Sequence, residues 1–293
     1  MYNFIKEREV RMSYTTIGGK KVSIPKGISF TFLAVMSLGY LYPVLWLVFN
    51  SLKTDAEMFS NPWSPASSFQ LSNFMTAWTS GNIGSGFLNS VIVSLSSVAI
   101  TIVISAMAAF SLKRFRWKYS GLVLGIFMIG VMIPIHSTLI PLFLVFNKLK
   151  ILNHYISLIL PYVAFSLPTS IFILSGFMAS FPKEIEEAAI MDGCKMSGVF
   201  WRILFPLSKS SIATISIFNF IAAWNELMFA MIFMPDETKM TLPVSLTRFR
   251  GQYSAHWTVQ LAAIVIMVVP SIIAYFFLND RIIKSLTIGA VKG

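Results

Sequence analysis

The chain has 293 residues, 56% of them hydrophobic and 12% charged, with a mean hydropathy of +0.73. That leaves too little polar surface for a soluble globule, so composition points to a polytopic protein with one membrane domain. A net charge of +11 does not indicate nucleic acid, because the bases flank apolar segments; the single Cys194 excludes a disulfide framework, and His136, His154 and His256 are too scattered for a metal site.

Lys6, Arg8, Arg11, Lys20, Lys21 and Lys26 precede the first apolar stretch as in a signal sequence. That stretch is too long and lacks a small-residue cleavage site, which predicts an uncleaved anchor. A hydrocarbon core about 30 Å thick needs about 20 apolar residues in a helix. Six stretches qualify, at 29–51, 86–112, 119–147, 151–180, 208–234 and 259–279, and all should be helices because lipid offers the backbone no partners. They divide the chain into a basic segment 1–28, a membrane domain 29–279 and a tail 280–293.

Between the spans, 52–85 is rich in Ser, Asn, Pro and Gly and is predicted to turn repeatedly with little regular structure. The loop 235–258 faces the same side, and neither is long enough for a substrate-binding domain. In the third span His136, between Pro134 and Pro141, is a pathway candidate, or it satisfies backbone groups freed by a kink. Pro161 and Pro168 in the fourth span and Pro270 in the sixth should bend their helices.

Glu226 is the one acidic residue deep in an apolar segment, where ionisable groups are functional candidates by default. With Asn219, Trp224 and Asn225 it makes a mixture that can hold sugar hydroxyls and stack on a sugar ring, and Asn219 and Glu226 share a helix face. The competing reading has these groups bonded to neighbouring helices or to a partner subunit.

Lys and Arg favour the cytoplasmic side. With both termini inside, 17 of them are cytoplasmic and 6 external. That orientation puts the polar insert 182–206 in the cytoplasm. Lys183 to Asp192 is rich in helix formers, with Ser180 as a possible cap, Pro182 in the first turn and Glu184, Glu186 and Glu187 near the positive end of the dipole. Gly193 should end the helix in the left-handed conformation, and Cys194 to Phe205 should form a second short helix with Val199, Phe200 and Ile203 apolar. Two helices meeting at a glycine make a compact knob; the plainer reading is an amphipathic helix resting on the membrane surface.

Glu187-Ala188-Ala189, Gly193, Ile203 and Pro206 have the spacing that resembles the coupling loop of bacterial ABC importer permeases, with Phe205 where that family usually has Leu. Ala223-Trp224-Asn225-Glu226 and the final Leu286 to Gly293 resemble the carbohydrate-uptake branch, in particular the maltose-type second permease subunit. The resemblance covers roughly 29–293 and implies an all-α integral membrane protein of the type I importer permease fold, six transmembrane helices with a cytoplasmic coupling loop, in a bacterial inner membrane. It implies that Glu187, Ala188, Ala189, Asp192, Gly193 and Pro206 contact an ATPase, with the tail at the same interface. It further implies a second, non-identical permease, two cytoplasmic ATPases and an extracytoplasmic sugar-binding protein.

This chain has no GxxxxGK[ST] phosphate loop, so no catalytic residue, metal or cofactor is expected on it, and ATP and Mg2+ would be used by the partner. Two alternatives remain at this stage: a proton-coupled secondary transporter using Glu226, although no internal repeat is visible, and an intramembrane enzyme with Glu226 and His136 as acid and base.

Overall fold

A computed structural model describes residues 14–17, 20–23, 26–80, 82–115, 117–252 and 256–290. Among the described residues, four helices are each long and apolar enough to cross a membrane, and the count rises to six if two bent helix pairs, Ser120–Val131 with Ile135–Lys148 and Met196–Leu207 with Lys209–Trp224, are each one span. The expected all-helical architecture holds apart from a short hairpin in the N-terminal segment, where β1 (Tyr14–Ile17) pairs antiparallel with β2 (Lys20–Ser23).

The first span is α1 (Lys26–Ser51), whose central apolar window buries none of its residues within the chain. Its far end is tied down by polar groups. Lys53 is fully buried and donates to Asn50 Oδ1 (3.1 Å) and the Asn61 carbonyl (2.7 Å), while Asn73 Nδ2 donates to the Ser51 and Lys53 carbonyls (2.9 and 2.8 Å). These bonds order the segment predicted to lack regular structure, which contains α2 (Asp55–Ser60) and α3 (Ser72–Thr79). The Thr54 hydroxyl caps α2 by accepting from Glu57 N (3.2 Å).

The second span, α4 (Ile83–Arg114), buries Gly86, Ser90, Ser94, Ser97, Thr101 and Ser105, a row of small residues at helical spacing that lets a neighbour approach closely. Gly86 and Ser90 at the start of the row meet Leu242 and Ser245, and α4 also packs along α7 (Ile156–Ala179), the fourth span, which remains one helix through Pro161 and Pro168. The predicted start at residue 151 moves to Ile156 because Lys150 and Asn153 have positive φ and turn the chain first.

Two predicted spans are broken. The third divides into α5 (Ser120–Val131) and, after a 3-10 turn at Ile135–Thr138, α6 (Leu139–Lys148), with 87° between the two halves. Pro134 lacks an N–H and disfavours helix at the preceding residue, so the ladder ends there. The fifth divides into α11 (Lys209–Trp224) and α12 (Met228–Phe233), a break without proline. Asn225 Nδ2 donates to the Ile221 carbonyl (2.8 Å), and the Glu226 carboxylate opens the next helix.

Beyond the predicted loop 235–258, which contains α13 (Leu242–Gln252), α14 (Trp257–Ala290) continues through most of the predicted tail. Near the knob, Ala106, Ala109 and Phe110 of α4 pack with Leu174 and Met178 of α7 and Ile215 of α11.

Candidate functional site

The insert forms a knob beside the ends of α4 and α7. Its first helix is α8 (Glu184–Met191), and Ser180 does not cap it: that hydroxyl donates backwards to the Phe177 carbonyl (2.7 Å). Gly193 closes α8 at φ +81°, with Cys194 N bonded to the Ala189 carbonyl and Gly193 N to the Ile190 carbonyl, both at 2.9 Å. This is the Schellman pairing, which requires a left-handed residue at Gly193. The second arm runs through α9 (Met196–Gly198), a π-helical turn at Val199–Leu204 and α10 (Phe205–Leu207).

Phe200 turns inward, its ring 5.2 Å from that of Phe110, so this arm is anchored in the protein core rather than laid on lipid by its aromatic face. Phe205 joins the same aromatic group, 5.8 Å from Phe200 and 5.3 Å from Trp201, which accommodates the departure from Leu. Of the predicted coupling residues, Glu187, Ala188, Asp192, Gly193 and Pro206 are exposed, while Ala189 packs inward against the core. Met191, unremarked in the sequence, is 87% exposed on the same outer surface.

Arg114 and Glu186 join the knob to the spans, and sequence reasoning assigned neither a role. Glu186 is the one buried residue of α8, and its Oε1 lies 2.7 Å from Arg114 Nε. Burial holds its carboxyl above the ordinary value; Arg114 and Lys183 pull the other way, and Glu187 adds to the rise. Glu186 therefore stabilises the fold in acid and loses that contribution as pH rises from the ordinary carboxyl value through the raised one. Thermal unfolding should show Glu186→Gln gaining on the unmutated chain as pH increases across that interval. A constant difference at all pH values would contradict this.

Deeper in the membrane domain, α4, α7 and α11 enclose a cleft of about 290 Å3. Ser97, Tyr162, Ser166, Thr169, Asn219 and Glu226 supply its polar lining. Asn219 and Glu226 both line it, although α11 ends at Trp224 and Glu226 lies beyond the helix that carries Asn219. Asn219 Nδ2 donates to Ser170 Oγ (3.0 Å). The Glu226 carboxylate accepts from Tyr162 Oη (2.6 Å), Phe229 N (2.8 Å) and Ala230 N (3.2 Å). Three donors engage both oxygens, so Glu226 caps α12 and ties it to α7 while bordering the cleft.

The other candidates do not converge there. Trp224 is fully buried on another side of α11, where its Nε1 donates to the Met267 carbonyl of α14 (3.0 Å). It borders a larger groove of about 680 Å3 lined almost wholly by apolar side chains. Asn225 is exposed and bonded to its own helix, and His136 is exposed in the 3-10 turn, outside the cleft lining. Glu226 and His136 are therefore not brought together as an acid and base. Trp224→Phe should keep the packing and lose one hydrogen bond, lowering stability by about 1 kcal/mol; thermal unfolding of the detergent-purified chain would measure it.

Residues 101–287 match the model of the binding-protein-dependent transport system inner membrane component. A putative ABC transporter permease protein of a Caldicellulosiruptor species is 41% identical over 265 residues, 90% of this chain and 96% of that protein. The sulfoquinovosyl glycerol transport system permease protein SmoH of Agrobacterium fabrum is 34% identical over 270 residues, 92% of this chain and 94% of that one. In fold, the chain is similar to one from a bacterial ABC transporter involved in importing the acidic polysaccharide alginate. The TM-score is 0.77 at 21% identity, covering 87% of this chain and 95% of the other. With its long apolar helices the chain is a multi-pass membrane protein, and it belongs to the family of binding-protein-dependent transport system inner membrane components, the permeases of ABC transporters.

Proposed function

We propose that this chain is one of two non-identical permease subunits of a carbohydrate importer, and that it does no chemistry itself. The observation that carries this reading is the knob: a chain of this family presents Glu187, Ala188, Met191 and Asp192 outward from a helix whose end is fixed by Gly193. Two ATPases dock on the knobs of the paired permeases from the cytoplasm, the side that holds 17 of the 23 Lys and Arg residues when both termini are inside. They hydrolyse ATP with Mg2+, and their closure switches the spans between inward-facing and outward-facing states. An extracytoplasmic binding protein delivers the solute.

A sugar suits the cleft because its polar lining beside Glu226 is neutral: Ser166 and Thr169 offer hydroxyls, and Asn219 an amide whose nitrogen also bonds Ser170. Glu226 sits at the edge with its oxygens committed to α12 and Tyr162, an arrangement that favours a fixed structural carboxylate over a proton carrier.

Affinity purification of the tagged chain from membranes tests the assembly. Recovery of a second permease and an ATPase, with hydrolysis stimulated by one sugar-loaded binding protein, is the expected result and names the substrate. A chain that purifies alone and moves solute under a proton gradient without ATP would replace this reading with the Glu226 carrier.

A further inference from the structure

We propose that Arg114 and Glu186 are positioning residues that form a strut through which movement of the knob reaches the walls of the cleft; this rests on the coupling role proposed above. Most of α8 faces outward, and only Glu186 is buried, with Ala189 three residues on making the apolar contact to the core on the same face. Glu186 meets a guanidinium that is already held elsewhere. Arg114 Nη2 donates to the carbonyls of Met178 (2.7 Å) and Phe181 (3.2 Å), at the negative end of the α7 dipole. Arg114 is also the last residue of α4. One side chain, only 3% exposed, therefore joins the ends of two membrane helices to the knob.

The geometry divides the work of that guanidinium. Its bonds to α7 are directional hydrogen bonds, whereas its Nε approaches Glu186 Oε1 within 2.7 Å without forming an aligned hydrogen bond. That contact is held by charge, which tolerates a change of angle. The strut is rigid toward the spans and pivots toward the knob. Burying an ion pair is seldom a route to stability, and the raised Glu186 carboxyl agrees with a net cost. What the pair supplies is register between elements that otherwise meet through few side chains.

The helices it grips wall the cleft. Ser97 on α4 lies about 25 Å from Arg114 at ~1.5 Å per residue of an unbroken helix, and Tyr162 and Thr169 lie on unbroken α7. A displacement of α8 is thus delivered to the cleft by two continuous rods.

The test needs no knowledge of the sugar. In the complete complex in membrane vesicles, with Cys194→Ser removing the native thiol, Thr169→Cys places a reporter in the cleft. Its labelling rate with a membrane-impermeant methanethiosulfonate is read before and after trapping the ATPases with MgATP and vanadate. In this parent, trapping should change the rate by about tenfold, and Glu186→Gln and Arg114→Gln should each reduce the change below about twofold without reducing the nucleotide trapped. The double variant should lose no more than either single, since both break one link. Arg114→Lys, which keeps the charge but not the fork, should fall between.

If Arg114→Gln fails to accumulate, Glu186→Gln decides, because it leaves the bonds from Arg114 to α7 in place. A full labelling change in Glu186→Gln overturns the strut, as does loss of trapped nucleotide in step with labelling, which would mark a merely structural role. A parent that recovers no ATPase, or whose cleft labelling ignores trapping, overturns the coupling reading itself and the strut with it.

Discussion

Replacing Gly193 with Val is expected to abolish solute uptake while leaving the permease in the membrane and hydrolysis by the ATPases proposed above active. A β-carbon at Gly193 would meet nothing within 4 Å, so bulk is not the obstacle. The obstacle is φ +81°, where an ordinary L-residue is disfavoured by roughly 1–2 kcal/mol and a β-branched one is worst placed, a factor of roughly 5 to 30 in the population of the redirected loop. Losing that turn would break both bonds that close α8 and would re-aim Glu187, Ala188 and Met191. Asn and Asp visit the left-handed region more readily, so the order of damage should be Val, then Ala, then Asp and Asn. Uptake measured beside vanadate-sensitive hydrolysis would show this, and a Val variant with normal uptake would remove the turn from the mechanism.

Glu226→Ala should lower the amount and stability of folded permease. Removing the carboxylate deprives α12 of its cap and leaves the Tyr162 hydroxyl without its partner, a combined cost of roughly 2–5 kcal/mol. Glu226→Gln keeps one acceptor oxygen and turns an amide N–H toward one of the three donors, so it should accumulate better and transport at a reduced rate. A proton carrier predicts the opposite ranking: Gln would fold normally and transport nothing. Thermal unfolding and uptake of the two variants, compared at matched protein level, separate the cases.

The six spans were legible because their signal is length and hydropathy, which one sequence carries in full. The knob was legible because a helix-forming run closed by Gly193 is a local pattern, whereas Asn219 and Glu226 were expected on one helix face and both line the cleft although the helix ends at Trp224 between them. The fracture at 225–227 was not, since it depends on the Glu226 side chain reaching forward to Phe229 N and across to Tyr162. Trp224 was drawn toward the cleft by its position in sequence, yet it lies on another side of α11, against α14. That the Arg114 fork grips α7 and faces Glu186 was not legible, since it is a property of packing between segments far apart in the chain. Short helices α2, α3 and α13 were missed because turn-rich composition also suits brief capped helices held by distant polar bonds.

The tie at the end of α1 bears on how the chain is made. No residue in the central window of α1 is fully buried by later spans, so as it leaves the ribosome it must be retained in lipid by its own apolar length. Its anchorage waits on residues not yet translated: the carbonyl that receives Lys53 belongs to Asn61, and the amide that clasps Ser51 belongs to Asn73. Insertion and fastening of the first span are therefore separate events in biogenesis, and an error in 61–73 would leave α1 integrated but loosely moored, a defect that fractionation would miss and protease sensitivity of the segment after α1 would reveal.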